Sequence, residues 1–384
     1  MAGKFMGQIS IRHLVIVFLL GAATLAQAQW RMQASGTKAG LRGIHAVDAN
    51  TAWASGTNGT ILRTTDGGRH WRHCSVPPGA AKLDFRAVWG WNADEAMAMS
   101  SGPGKQSRLY ATDDGCQSWK LTFTNPDANG FWDALQFSSR RFGAILGDPV
   151  DGRFTLFATY DGGRHWTRQV DACLRAEPTA QGAFAASNQA LAVLPLDDRN
   201  AAPGFSVNHQ IWFGTGGGWI YGFPLAPLRL IAVSTGGCVH TRVLSAAPAD
   251  NSATGVFAIA FRDPTHGVAV GGNYAKPGIG TATAAYTTDG VHWKRALQPP
   301  AGYRSTVVWN GLDGAWIAAG STGSDVSRDG GKTWSPLGHA GWNALSLPFA
   351  VGADGRIGRL ISWGELRAEE RVPAHRVLAR SEGR

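Results

Sequence analysis

The chain has 384 residues, 44% of them hydrophobic and 16% charged, with a formal net charge of +9. That mild positive balance suits acidic partners or an anionic surface, but no dense Lys/Arg run accompanies it, which excludes a nucleic-acid partner. The four cysteines form no CxxC pair and have no histidine cluster beside them, so neither a metal nor another cofactor is expected.

Residues 1–28 have the layout of a secretory signal. Lys4 and Arg12 make a positive start, Leu14 to Leu20 is an apolar stretch, and Ala26-Gln27-Ala28 is a small-residue cleavage site. The apolar stretch is shorter than the roughly 20 residues a spanning helix needs, so the mature chain is expected to start near Gln29 and to be exported, periplasmic or extracellular. Removing the signal takes away two basic residues and no acidic one, leaving 34 basic against 27 acidic. In an exported chain Cys74, Cys116, Cys173 and Cys238 permit two disulfides in three pairings.

From Trp30 onward the chain reads as short strands rich in β-branched and aromatic residues. WRMQAS (Trp30 to Ser35) stands alone, and then LRGIHAV, TAWASG, TILRTT and HWRHCSV form a unit of four strands. FRAVWGW, AMAMSSG, SRLYATD and SWKLTF form a second unit, and FWDALQF, FGAILGD, RFTLFATY and HWTRQV a third. Further units are expected to begin near Ala183, Val256 and Tyr303. A seventh offers only three strands, WNALSL, FAVGAD and RIGRLISW. SGPGKQS at 101–107 is no phosphate-binding loop, because Met99 and Gln106 stand where glycine and Ser/Thr are required.

Between the third and fourth strands a motif recurs with the form Ser/Thr-x-Asp-x-Gly-x-x-Trp. The copies are TTDGGRHW with Asp66 and Trp71, TDDGCQSW with Asp114 and Trp119, TYDGGRHW with Asp161 and Trp166, and SRDGGKTW with Asp329 and Trp334. A copy one residue shorter, TTDGVHW, carries Asp289 and Trp293. Trp71, Trp119 and Trp166 are 48 and 47 residues apart, and Trp293 and Trp334 are 41 apart. Such a period matches a four-stranded propeller blade. The 127 residues between Trp166 and Trp293 hold a worn copy, IAVSTGGCVH at 231–240, in an enlarged blade. The predicted fold is an all-β, seven-bladed propeller over residues 29–364, closed by the N-terminal strand, with a C-terminal tail at 365–384. A catalytic residue is needed once, whereas this motif appears five times, so its aspartate, glycines and tryptophan are assigned to turn structure.

The motif is the Asp-box, or BNR repeat, which sialidases, sortilin-type propellers and the photosystem II stability/assembly factor family share. The chain resembles that last family most, in its exported bacterial branch, through GDPVDGRF (147–154), AFAASN (183–188), WFGTGGG (212–218), FRDPTHGVAVGGNYAKP (261–277), GYRS (302–305) and GSDVS (323–327). The resemblance implies a non-enzymatic, monomeric scaffold or assembly protein with a protein partner, which can be a membrane protein. In a propeller the second-to-third strand loops and the blade-to-blade segments emerge on the face opposite the Asp-box turns, and the binding face is expected there. Candidate binding residues there are Asp148, Asp151, Arg153, Trp219, Tyr221, Asn273, Tyr274, Lys276, Tyr303 and Arg304. The alternative is a sialidase-type glycoside hydrolase. The propeller portion offers only Glu95 and Glu177 as glutamates, and the first-blade Arg-Ile-Pro of sialidases is missing. Asp148 and Asp151 are the remaining acid pair, three residues apart in one turn. No catalytic residue is assigned.

Overall fold

Seven antiparallel four-stranded sheets succeed one another along the chain, each a blade of one propeller ring, in a computed structural model that describes residues 30–176, 182–195, 209–217, 219–225, 239–242 and 253–361. Counted outward from the axis, blade 1 comprises Leu41–Ala46, Ala52–Gly56, Ile61–Thr64 and Arg72–His73. Blade 2 comprises Asp84–Gly90, Ala96–Ser101, Arg108–Thr112 and Lys120–Thr124, and blade 3 Trp132–Phe137, Gly143–Val150, Arg153–Thr159 and Thr167–Arg168. The innermost strands of blades 4, 5 and 6 are Leu191–Pro195, Thr254–Asp263 and Thr306–Asn310. Blade 7 takes Ala344–Ser346, Phe349–Val351 and Ile357–Leu360 from the C-terminal side, and its outer strand is Trp30–Gln33, paired antiparallel with Ile357–Leu360. The ring closes as expected, and the open edge that blade 7 would present to other chains is covered.

Each blade presents one apolar face to the blade before it and one to the blade after. The buried side chains therefore gather in seven clusters, one at each junction. Leu41, Ile44 and Trp71 of blade 1 meet Phe349 and Ile357 of blade 7, and Trp53 meets Val88, Tyr110 and Trp119 across the next junction. The Asp-box tryptophans occupy corresponding places: Trp71, Trp119, Trp166, Trp293 and Trp334 each pack toward the preceding blade. Trp30 does the same at the junction of blades 6 and 7, beside Trp342 and Ile317. It is the sixth member of the set, standing at the start of the outer strand of blade 7.

The turns repeat one hydrogen-bond pattern. In the first, the Thr64 hydroxyl donates to Asp66 Oδ1 at 2.9 Å and accepts from Gly68 N, while His70 N donates to Asp66 Oδ1 at 3.0 Å. Thr112 and Asp114, Thr159 and Asp161, Thr287 and Asp289, and Ser327 and Asp329 are paired in the same way. The second glycine of the box lies at positive φ against the preceding blade, where a Cβ on Gly163 would meet Met97 at 2.5 Å and one on Gly331 would meet Val268 at 2.6 Å. In the second blade Cys116 holds that place at φ 65°, and its side chain uses the same approach to form a disulfide with Cys74 of blade 1. Cys173 is also disulfide-bonded, and Cys238 lies outside the described residues.

One expectation changes. The fourth unit was expected to start near Ala183, but its first strand is Leu191–Pro195, and residues 183–190 do another job at the axis. Residues 231–238 of the worn motif at 231–240, Glu177 and the tail at 365–384 lie outside the described residues.

Candidate functional site

The start of each innermost strand faces away from the Asp-box turns, and there the strand alternation is interrupted. Register shifts at Leu41/Gly43, Phe85/Ala87, Trp132/Ala134 and Val256/Ala258 leave Arg42, Arg86, Asp133 and Phe257 as extra residues in four blades. A bulge residue leaves the ladder and re-aims its side chain, and at the inner edge of a blade that aim is toward the axis. Arg86 Nε donates to Asp84 Oδ2 at 2.9 Å, and Arg42 Nε lies 4.0 Å from the same oxygen. Arg86 also rests over Phe131, at 5.9 Å from the ring centre.

The channel beneath these residues is filled by the chain itself. Phe184 stacks on Phe257 at 3.7 Å, and Ala185 O accepts from Arg86 Nη1. Deeper, the Ser187 hydroxyl donates to Ser305 O, Asn188 Nδ2 donates to Val88 O, and Gln136 Nε2 donates to Asn188 O. Gln189 donates to Leu345 O and accepts from the Thr306 hydroxyl. Residues 183–190 thus bond to blades 2, 3, 6 and 7, and the mouth is a cup with a floor.

Burial sets the charges of the cup. Asp133 is 2% exposed, and burial, with the Asp148 carboxyl next in weight, pushes its pKa well above the usual aspartate range. Burial also raises Asp148, against the opposing donation from Ala183 N at 2.9 Å. Burial, then Arg86, lowers the Arg42 guanidinium from its usual range, while Asp84 and Tyr303 act in the other direction. Arg42 and Arg86 face Asp84 in the ring, and the raised pKa values of Asp133 and Asp148 weaken the acidic side of the cup, which tips its balance toward basic.

The sequence-proposed residues divide into two groups. Tyr274 is 52% exposed and stands above Phe257, and Lys276, Asp151 and Arg153 are exposed on the same face. Arg304 is 2% exposed, its Nε and Nη2 on Asp325 and its Nη1 on Tyr303 O and Thr322, so it braces blade 6 from inside instead of facing a partner. Tyr221 lies in the core between blades 3 and 4, with Trp219 partly buried against it. Asn273 is buried and accepts from Ala275 N and Lys276 N, capping its own loop. Tyr303 is buried against Phe257, which pushes its phenol pKa up. Asp151 holds φ 50° in the turn after Val150, and Glu95 pairs with Arg140 at 2.5 Å on the Asp-box face.

Sequence inspection centred on turns and loops missed Arg42, Arg86 and Asp133. A signal for them exists, because four of the seven innermost strands open on an apolar residue, one variable residue, a small residue and another apolar one: LRGI, FRAV, WDAL and VFAI. The variable place is the channel position.

These features define a seven-bladed β-propeller with a plugged axis and a basic, partly aromatic mouth. The chain matches no family model and no curated protein. Among solved structures it is similar to "YCF48 bound to D1 peptide", at TM-score 0.56 and 15% identity over 88% of this chain and 98% of that one. It is also similar to "YCF48 from Cyanidioschyzon merolae", at 0.53 and 18% over 86% and 98%. The WD40 propeller domain of Doa1 follows, at 0.52 and 11% over 86% and 96%. At such identities the likeness is one of fold.

Proposed function

We propose that this protein is a non-enzymatic, exported propeller of the assembly-factor type that holds an acidic segment of a protein partner at the cup opposite the Asp-box turns. The observation that carries this is the convergence of Arg42 and Arg86, both from strand bulges, on one mouth with Phe131 at its wall and Tyr274 at its rim. Concave basic sites with aromatic anchors suit peptide recognition, and the floor of residues 183–190 confines a ligand to the mouth. One structural neighbour, YCF48, is bound to a D1 peptide, which supports a peptide as the ligand class. Export is supported by the N-terminal signal layout and by the Cys74–Cys116 disulfide, since such bonds persist in oxidising compartments.

The hydrolase alternative has weaker support. Asp133 is enclosed, Asp148 is bonded to the channel segment, and Glu95 is held by Arg140 and Asn92 on the opposite face. Turnover of aryl glycosides or sialosides that disappears in Asp148→Asn would establish it. The binding proposal is tested by affinity capture from the exporting host with the wild type and with Arg42→Gln/Arg86→Gln. The expected result is a specific partner lost from the variant, whose melting temperature stays within a few degrees of wild type. Equal recovery from both would reject the cup.

A further inference from the structure

The donors at the mouth of the channel are only partly used by the protein itself. Arg86 commits Nε to Asp84 Oδ2 and Nη1 to Ala185 O, and its Nη2 has no partner among the described residues. Arg42 makes no hydrogen bond among the described residues: its Nε is enclosed without a partner, and its ion contact with Asp84, at 4.0 Å, is beyond hydrogen-bond reach. The Arg42 side chain is nevertheless 37% exposed, so its outer nitrogens are open to a ligand. Two guanidinium groups thus share one carboxylate, and buried donors are rarely left unpaired without a reason.

An aromatic surface adjoins these donors. Phe184 stacks on Phe257 at 3.7 Å, and Tyr274 meets the same ring edge-on at 6.0 Å while staying largely exposed. Phe184 is itself half-buried, and the carbonyl that holds Arg86 belongs to the next residue, Ala185. The open donors and the aromatic rim are therefore within the span of a few residues of an extended chain. In such a chain alternate side chains point to the same side, about 7 Å apart, and adjacent ones to opposite sides. An acid and a ring enter the mouth together when one residue separates them.

We propose that the segment recognised at the cup is extended and carries an aromatic residue two positions from its acidic one, with the carboxylate on Arg42 and Arg86 and the ring against Phe184 and Tyr274. Arginine matches a carboxylate with paired N–H donors, and ring-on-ring contacts add to the area buried. This rests on the reading of the cup as a site for an acidic segment and adds the sequence that the segment must have.

Ligand-observed NMR titration of the full chain with the acetylated and amidated peptide Gly-Ser-Asp-Ser-Phe-Ser-Gly tests the proposal. The same peptide with Asp and Phe exchanged is titrated too, and the tighter of the two orders is the reference. Leu in place of Phe should weaken binding about three- to tenfold, and Asn in place of Asp about tenfold or more. Making Asp and Phe adjacent should weaken it as much as the Leu replacement does. Tyr274→Ala alters an exposed side chain, should melt like the wild type, and should remove most of the preference for Phe over Leu. Failure of both orders to bind, equal affinity for the Phe and Leu peptides, or equal affinity for the spaced and adjacent peptides would overturn the proposal. Binding that depends on the acid and on the arginines, tested with Arg42→Gln/Arg86→Gln, but ignores the ring would overturn it while leaving the cup as an acidic-segment site. Binding unchanged in Arg42→Gln/Arg86→Gln would overturn both.

Discussion

Asp133 and Asp161 show how one residue type serves two ends in this chain. Asp161 sits in a turn where burial opposes ionisation, but His165 N, the His165 ring and the Thr159 hydroxyl outweigh it and hold the pKa at about 2. Its contribution is present above the ordinary aspartate value near 4 and is lost as pH falls through the folded value. Asp161→Asn should therefore cost about 1 kcal/mol at pH 7, with the gap to wild type narrowing toward pH 2 in denaturant titrations. Asp133 has the opposite sign. Its folded pKa is raised, so its contribution is complete below about pH 4 and is lost as pH rises through the folded value. Asp133→Asn should raise stability at pH 8 by about 1–3 kcal/mol, the range for an uncompensated buried polar group, and change it little at pH 4. Equal loss of stability at both values would contradict this account. The Asp-box role of Asp161 was legible because the motif recurs, whereas Asp133 is one variable residue inside a strand that reads as apolar. Arg304 misled for the converse reason: nothing in GYRS reveals that Asp325, twenty-one positions on, encloses the guanidinium.

Among the elements, the second glycine of the Asp-box explains both its usual residue and its exception. Cys116 accepts the left-handed backbone of that place and reaches Cys74 across the blade junction. Losing the disulfide in Cys74→Ser/Cys116→Ser should cost about 2–5 kcal/mol. Cys74→Ser/Cys116→Gly should recover part of that loss, because glycine adopts positive φ without penalty, and chemical denaturation of the two variants measures the difference. The closing strand is the second case. Trp30 fills the junction of blades 6 and 7 as the other tryptophans fill theirs, so Trp30→Ala should cost about 3–5 kcal/mol. A value near zero would mean that the ring does not depend on its N-terminal strand. Strand count, blade count and closure were legible because turn spacing and strand alternation are local. The start of the fourth blade was not, since AFAASN carries strand-like residues whose partners, Ser305 and Val88, are brought to it only by the closed ring.

For the molecule as a whole, seven junction cores replace a single one, and each blade is stabilised by two neighbours. The axis is occupied by the chain itself, which leaves the two faces of the ring as surfaces with different chemistry. The repeat announced the fold, but repetition conceals function, which depends on what differs between copies at one place in each blade. The claim that matters most is that the partner docks on the face opposite the Asp-box turns. Photo-crosslinking with a benzophenone amino acid at Tyr274, 52% exposed beside the cup, and at Val291, 48% exposed on the Asp-box face, addresses it directly in the native host. The account predicts a discrete crosslinked partner from position 274 and none from 291, and a partner captured only from 291 would contradict it.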